Sequence, residues 1–172
     1  TKKLGKSDVF FKGGNAIDAK GNVGVLVANL TGGTIADVFG TIVARGVNLI
    51  LPVGLEKMIP DVLLAANVCG INTFERAIGK RTGLFPISYG YPFTELDALE
   101  TLADVDAYCV SAGGVGGSEG AVVLVVEGED EQVELIMELI KGIKGEPQVA
   151  SLKQDCETCK ECDLMVSDDE ED

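Results

Sequence analysis

Histidine and tryptophan are absent from the 172 residues of this chain. Without histidine there is no Ser-His or Cys-His catalytic pair, and no side chain that ordinarily titrates near neutrality. Aromatic residues are scarce, at 5%, so the core must be built from Val, Ile, Leu and Ala. That composition suits strands covered on both faces by helices. Basic residues are outnumbered: 14 Lys and Arg against 28 Asp and Glu leave a net charge of −14. Such a field repels nucleic acid and anionic membrane surfaces, and no Lys/Arg cluster offsets it. No apolar run approaches the ~20 residues that cross a bilayer. No apolar segment follows the charged start Thr1-Lys2-Lys3-Leu4-Gly5-Lys6 as it would in a signal peptide. These exclusions point to a soluble, cytoplasmic protein with no nucleic-acid or membrane partner. The pattern enters a strand by Asp8, as in a chain that lacks an amino-terminal part.

What is present is aliphatic. Hydrophobic residues make up 46% of the sequence, enough to bury a core in one domain or two small ones. Asp8 to Lys12 reads as a strand ended by Gly13-Gly14, and Val23 to Ala28 as a second, buried strand. Ile35 to Arg45 carries Ile35, Val38, Phe39, Ile42 and Val43 at helical spacing, with Gly46 as a stop. Val47 to Leu51 is a third strand, closed by Pro52 and Gly54. Asp61 to Cys69 and Thr73 to Ile78 read as short helices. Strand, helix, strand in this order predicts a right-handed parallel crossover, a Rossmann-like β/α region over residues 1–82.

The rhythm then changes. Leu84 to Tyr89 reads as a strand. Thr94 opens a helix that runs to about Ala103, with Asp97 in the capping-box position. Val105 to Ala112 and Ala121 to Glu127 are strands joined by the glycine-rich stretch Gly113 to Gly120. Asp130 to Ile140 is an amphipathic helix with Val133, Ile136, Met137 and Ile140 on one face. Gln148 to Leu152 would close the order βαββαβ, the ferredoxin-like pattern, over residues 83–153. Residues 154–172 form a cysteine-rich, acidic tail. Its end, Asp168-Asp169-Glu170-Glu171-Asp172, cannot bury apolar area and is expected to be solvated and mobile.

The best candidate for holding an anion is Thr31-Gly32-Gly33-Thr34, between a buried strand and a helix. Free backbone N–H groups and the helix dipole attract phosphate or carboxylate there, and glycines allow close approach. It is neither a P-loop nor a G-x-G-x-x-G turn. The plainer alternative is a tight turn with Thr34 as the helix N-cap. If the three strands are parallel, the loops Gly13-Gly14-Asn15-Ala16-Ile17-Asp18 and Gly54-Leu55-Glu56-Lys57 gather beside it. Asn15 and Asp18 then line the site, Glu56 is placed to act as general base or nucleophile, and Lys57 to pair with an anion. The alternative is a surface Glu-Lys pair. Glu119, the one charge in the Gly113–Gly120 loop, reads either as a carboxylate on a flap over a pocket or as part of a flexible hairpin. Cys69, Cys109, Phe10, Phe11 and Phe39 read as core. Tyr89 and Tyr91 read either as lining a pocket or, more simply, as packing at the junction of the two halves.

The run Asp8-Val9-Phe10-Phe11-Lys12-Gly13-Gly14-Asn15-Ala16-Ile17, then Gly21-Asn22-Val23 and Gly33-Thr34, resembles a motif of the CoA-transferase/ribose-5-phosphate isomerase/methylthioribose-1-phosphate isomerase-like superfamily. The likeness covers roughly residues 8–60. It implies a Rossmann-like sheet that binds sugar phosphates, CoA esters or related anions. Asn15 stands where the isomerase turn carries an acid, which argues against isomerase chemistry.

Cys156, Cys159 and Cys162 form C-x2-C-x2-C, a spacing that fits metal ligation better than a disulfide framework. They supply three thiolates toward zinc or an iron–sulfur cluster, and a fourth ligand must come from elsewhere. Three functional readings follow. The first is an enzyme, or the remnant of one, acting on a phosphorylated or CoA-linked anionic metabolite. In that reading the ferredoxin-like half closes the site or makes a homodimer. The second is a non-catalytic metabolite sensor whose cysteine tail holds a metal that docks a protein partner. The third is an electron-transfer accessory protein.

Overall fold

The computed structural model describes residues 3–147. Strand β1 (Val9–Phe11) is followed by a very short β2 (Ala16–Ile17), β3 (Val23–Val27), helix α1 (Gly33–Arg45) and β4 (Asn48–Pro52). A 3-10 turn (Leu55–Lys57) leads to α2 (Val62–Asn67), then β5 (Gly83–Ile87) and β6 (Tyr91–Phe93). Helix α3 (Glu95–Leu102), β7 (Val105–Ala112), β8 (Val122–Gly128) and α4 (Asp130–Ile143) complete the described chain. The strands form a parallel sheet in the order β1-β4-β6, an antiparallel sheet β2-β3-β5, and the antiparallel hairpin β7-β8. This is an α/β fold with a parallel sheet flanked by helices and antiparallel sheets, consistent with a Rossmann-like and ferredoxin-like arrangement.

The main core is aliphatic, as the scarcity of aromatic residues requires. Ile17, Val23, Val25, Val47, Leu49, Leu51, Val53 and Ile87 come from the strands and the segments beside them, and Ile35, Val38 and Ile42 come from α1. Helix α1 shows the predicted periodicity, because those three residues fall on the one face it buries. Full burial of each large aliphatic side chain contributes about 1.5–3 kcal/mol. The helix stops at Gly46, whose left-handed backbone (φ 62°) turns the chain so that the Val47 N–H donates to the Ile42 carbonyl at 3.0 Å. A second, smaller core joins α3, β7 and α4 through Leu99, Val105, Ala107 and Ile136.

The structure departs from the sequence reading in several places. Strand β3 does not form a parallel crossover with β4 through α1. It runs antiparallel to β2 and β5, while β4 pairs in parallel with β1 and β6. The cause is a tight reversal at Asp18–Asn22. There the Asp18 carboxylate accepts the Lys20 and Asn22 N–H groups, and Gly21 takes φ 80°. The strand expected at 84–89 pairs with β3 rather than with the β7–β8 hairpin. It is followed by an unforeseen strand, β6, which holds Pro92 at a sheet edge, where a missing N–H is tolerated.

No helix forms at Thr73–Ile78, where the chain takes turns and bends. Six residues offset helix nucleation only with help, such as the Asp61 cap that opens the equally short α2; at Thr73–Ile78 the Arg81 guanidinium instead donates to the Glu75 carbonyl at 2.9 Å. Phe11 is 63% exposed and Cys109 is exposed, so neither is a core residue. Phe10 and Phe39 do pack against the core. The Asp97 capping box forms, its carboxylate accepting the Thr94 N–H at 2.8 Å and the Thr94 hydroxyl at 2.6 Å. The strand expected at Gln148–Leu152 and the whole 154–172 tail lie outside the described residues.

Candidate functional site

The Thr31–Thr34 motif sits where α1 begins. Asn29 shapes the approach: its side-chain Oδ1 accepts the Thr31 N–H at 2.9 Å and the Thr31 hydroxyl at 2.8 Å, and its carbonyl accepts the Gly32 N–H at 2.8 Å. This is an Asx-type turn, with the Asn side chain doing what a backbone carbonyl does in an ordinary turn. Gly32 follows at φ 81° and Gly33 at φ 60°, a left-handed pair that suits residues without Cβ. Gly32, not Thr34, is therefore the N-cap residue, and it brings no side chain to cap the helix. Thr34 lies inside the first turn.

Two consequences follow at this helix end. The first-turn N–H groups of an α-helix have no intrahelical acceptor, and here no cap side chain accepts them. No acidic residue stands in the first turn either; the first carboxylate of the helix is the exposed Asp37, one residue beyond it. The helix start borders a cavity of about 210 Å³, lined by Gly32, Gly33, Thr34 and Ile35 on one side and by β3 with Ala28 and Asn29 on the other. Half-buried Lys12, at the end of β1, also lines it and brings a cation. It reaches this position because its N–H donates to the Ile50 carbonyl at 3.0 Å, which extends the β1–β4 pairing by one residue.

The other residues singled out in the sequence lie elsewhere. Gly14 is buried in a close crossing, where a Cβ would come within 2.5 Å of the Val23 Cγ1, and its N–H donates to the Pro52 carbonyl at 2.9 Å. Gly13, beside it, is exposed and comes near the same carbonyl. Asn15 turns its Oδ1 to the Leu26 N–H at 3.0 Å. Asp18 is 2% exposed and fully engaged, accepting the Val62 N–H at 3.0 Å as well as groups of its own turn. Burial pushes the Asp18 carboxyl up, but the hydrogen bonds from Val62, Asn22 and Lys20 prevail and hold it below its ordinary value. Asp18 thus ties the β2–β3 turn to the start of α2.

Glu56 and Lys57 lie on the 3-10 turn and face each other at 3.5 Å. The Glu56 carboxylate folds back over Gly54. Above that turn, the Leu55 N–H donates to Glu95 at 3.0 Å, which joins the turn to α3. Glu119 bends back within its own exposed loop to accept the Gly117 N–H at 3.2 Å. Backbone hydrogen bonds, its own and that of Gly117 first, lower its carboxyl from the ordinary value. Of the sequence-derived candidates, the structure brings together Gly32, Gly33 and Thr34 around the cavity, with Thr31 held in the turn beside them. Gly13, Gly14, Asn15, Asp18, Glu56, Lys57 and Glu119 are not among the described residues that line it.

Sequence reasoning missed Lys12 and Asn29. Both carried a signal. Lys12 is the last residue of a strand before a glycine pair, and Asn29 stands two residues before Thr31, the spacing of an Asx turn. Tyr89 and Tyr91 border a second, shallow hollow of about 500 Å³ with Val9, Asn48 and Ile50. The Tyr91 hydroxyl donates to Asp97 at 2.6 Å, and that hydrogen bond raises the phenol above its ordinary value. Among the described residues no group of three or more His, Cys, Asp or Glu could hold a metal ion. Cys156, Cys159 and Cys162 lie outside those residues. No described helix is long and apolar enough to cross a membrane. Comparison of the chain with protein-family models, curated proteins and solved structures finds no match.

Proposed function

We propose that this protein binds a small anionic metabolite, of the phosphorylated or CoA-linked kind, through the amino end of α1. One observation carries the reading: an uncapped helix start, with no acidic residue in its first turn, opens on a cavity that Lys12, just past the neighbouring strand β1, also lines. Helix N–H groups and an ammonium are complementary to a phosphate, and the glycines at 32 and 33 admit it to the backbone. The resemblance of residues 8–60 to the CoA-transferase and sugar-phosphate isomerase superfamily points to the same ligand class.

Binding without catalysis fits the lining better than an enzyme does. The side chains around the cavity include Lys12, Asn29 and Thr34 but no carboxylate and no thiol. The Thr34 hydroxyl and the Lys12 amine have no carboxylate or imidazole in that lining to activate them, and Glu56, the sequence's candidate base, is turned back on Gly54. The metabolite-sensing reading is therefore preferred over the enzyme reading. A metal on the tail cysteines, zinc or an iron–sulfur cluster, belongs to the proposal as a separate partner-docking element. It is tested by metal analysis and visible absorption of anaerobically purified protein.

Isothermal calorimetry with inorganic phosphate, pyrophosphate, a sugar phosphate and CoA tests the binding proposal. Saturable binding of at least one of these, weakened by Lys12→Gln, is the expected result. Absence of heat with all four, in protein whose fold is verified by circular dichroism, sinks it.

A further inference from the structure

We draw no further inference here: the strongest candidate, the outer face of the parallel sheet where exposed Val9, Phe11 and Tyr91 flank Ile50 beside the shallow hollow, is an unpartnered apolar face, and nothing in the structure shows what covers it.

Discussion

Two residues carry opposite kinds of charge to opposite ends. Lys12 lines a cavity that has no carboxylate among its lining residues, and in the proposed function its charge meets the ligand. Replacing it with Gln keeps the length and removes the charge. Affinity for inorganic phosphate or pyrophosphate is expected to fall roughly tenfold, the scale of one lost charge-assisted hydrogen bond, with the melting temperature of the free protein little changed. Asp18, in contrast, spends its charge inside the fold. Asp18→Ala orphans the Val62, Lys20 and Asn22 N–H groups and is expected to cost about 3 kcal/mol in urea unfolding. The same carboxylate sets a pH dependence. Its folded value is lowered from 3.8, so its contribution is complete at neutral pH and is lost as pH falls below about 3.8 toward the folded value. Urea midpoints measured from pH 7 down to pH 2.5 should drop more steeply in the wild type than in Asp18→Asn at the acid end. Parallel slopes would show that Asp18 does not govern it. From the sequence, Asp18 was placed in a ligand lining. Its burial and its bond to Val62, 44 positions away, depend on a pairing that no local pattern encodes.

Among the elements, α1 was the most legible. Its apolar residues repeat at helical spacing, and a glycine stands at its end. The start was read two residues late, because Thr34 satisfies the local rule for an N-cap while the Asn29 turn and two left-handed glycines move the cap to Gly32. The longer strands were found, the short β2 and β6 were not, and the pairing partners of β3 and β5 were misread. A buried run such as Val23–Val27 reads the same in a parallel and in an antiparallel sheet. Here the two-residue β2, too short to show any period, decides between them. The crossing of the β1–β2 loop over Val23 and Val53 gives a sharp test at this scale. A methyl group at position 14 meets the Val23 Cγ1 at 2.5 Å and Val53 Cβ at 3.0 Å, so Gly14→Ala should destabilise by about 1–3 kcal/mol. Chemical denaturation reads this directly. An unchanged midpoint would mean that the crossing loosens at no cost and that Gly14 was misread as a packing glycine.

At the level of the whole molecule, two separate apolar clusters hold the described chain. One lies among the three- and three-stranded sheets and α1, the other between the β7–β8 hairpin, α3 and α4. Ile42→Ala and Ile136→Ala each empty a fully buried site and should each cost about 2–5 kcal/mol. They should differ in where amide exchange accelerates: Ile136→Ala chiefly in β7, β8 and α4, and Ile42→Ala chiefly in α1 and the sheets around it. Equal acceleration everywhere would show that the two clusters open as one. The α/β class was legible at this scale because it follows from the alternation of apolar runs and helical periods. The site was legible only in part. A glycine-flanked helix start announces itself in the sequence, whereas the lysine that shares its cavity arrives through the parallel pairing of β1 with β4.

The binding claim stands or falls on the backbone at the head of α1. A titration of isotope-labelled protein with inorganic phosphate, followed by amide nuclear magnetic resonance, reads that backbone residue by residue. The largest shifts should fall on the N–H groups of Gly33, Thr34 and Ile35, saturate with phosphate, and weaken in Lys12→Gln. Saturable shifts confined to other parts of the chain, or none at those three amides up to millimolar phosphate and pyrophosphate, would contradict the account.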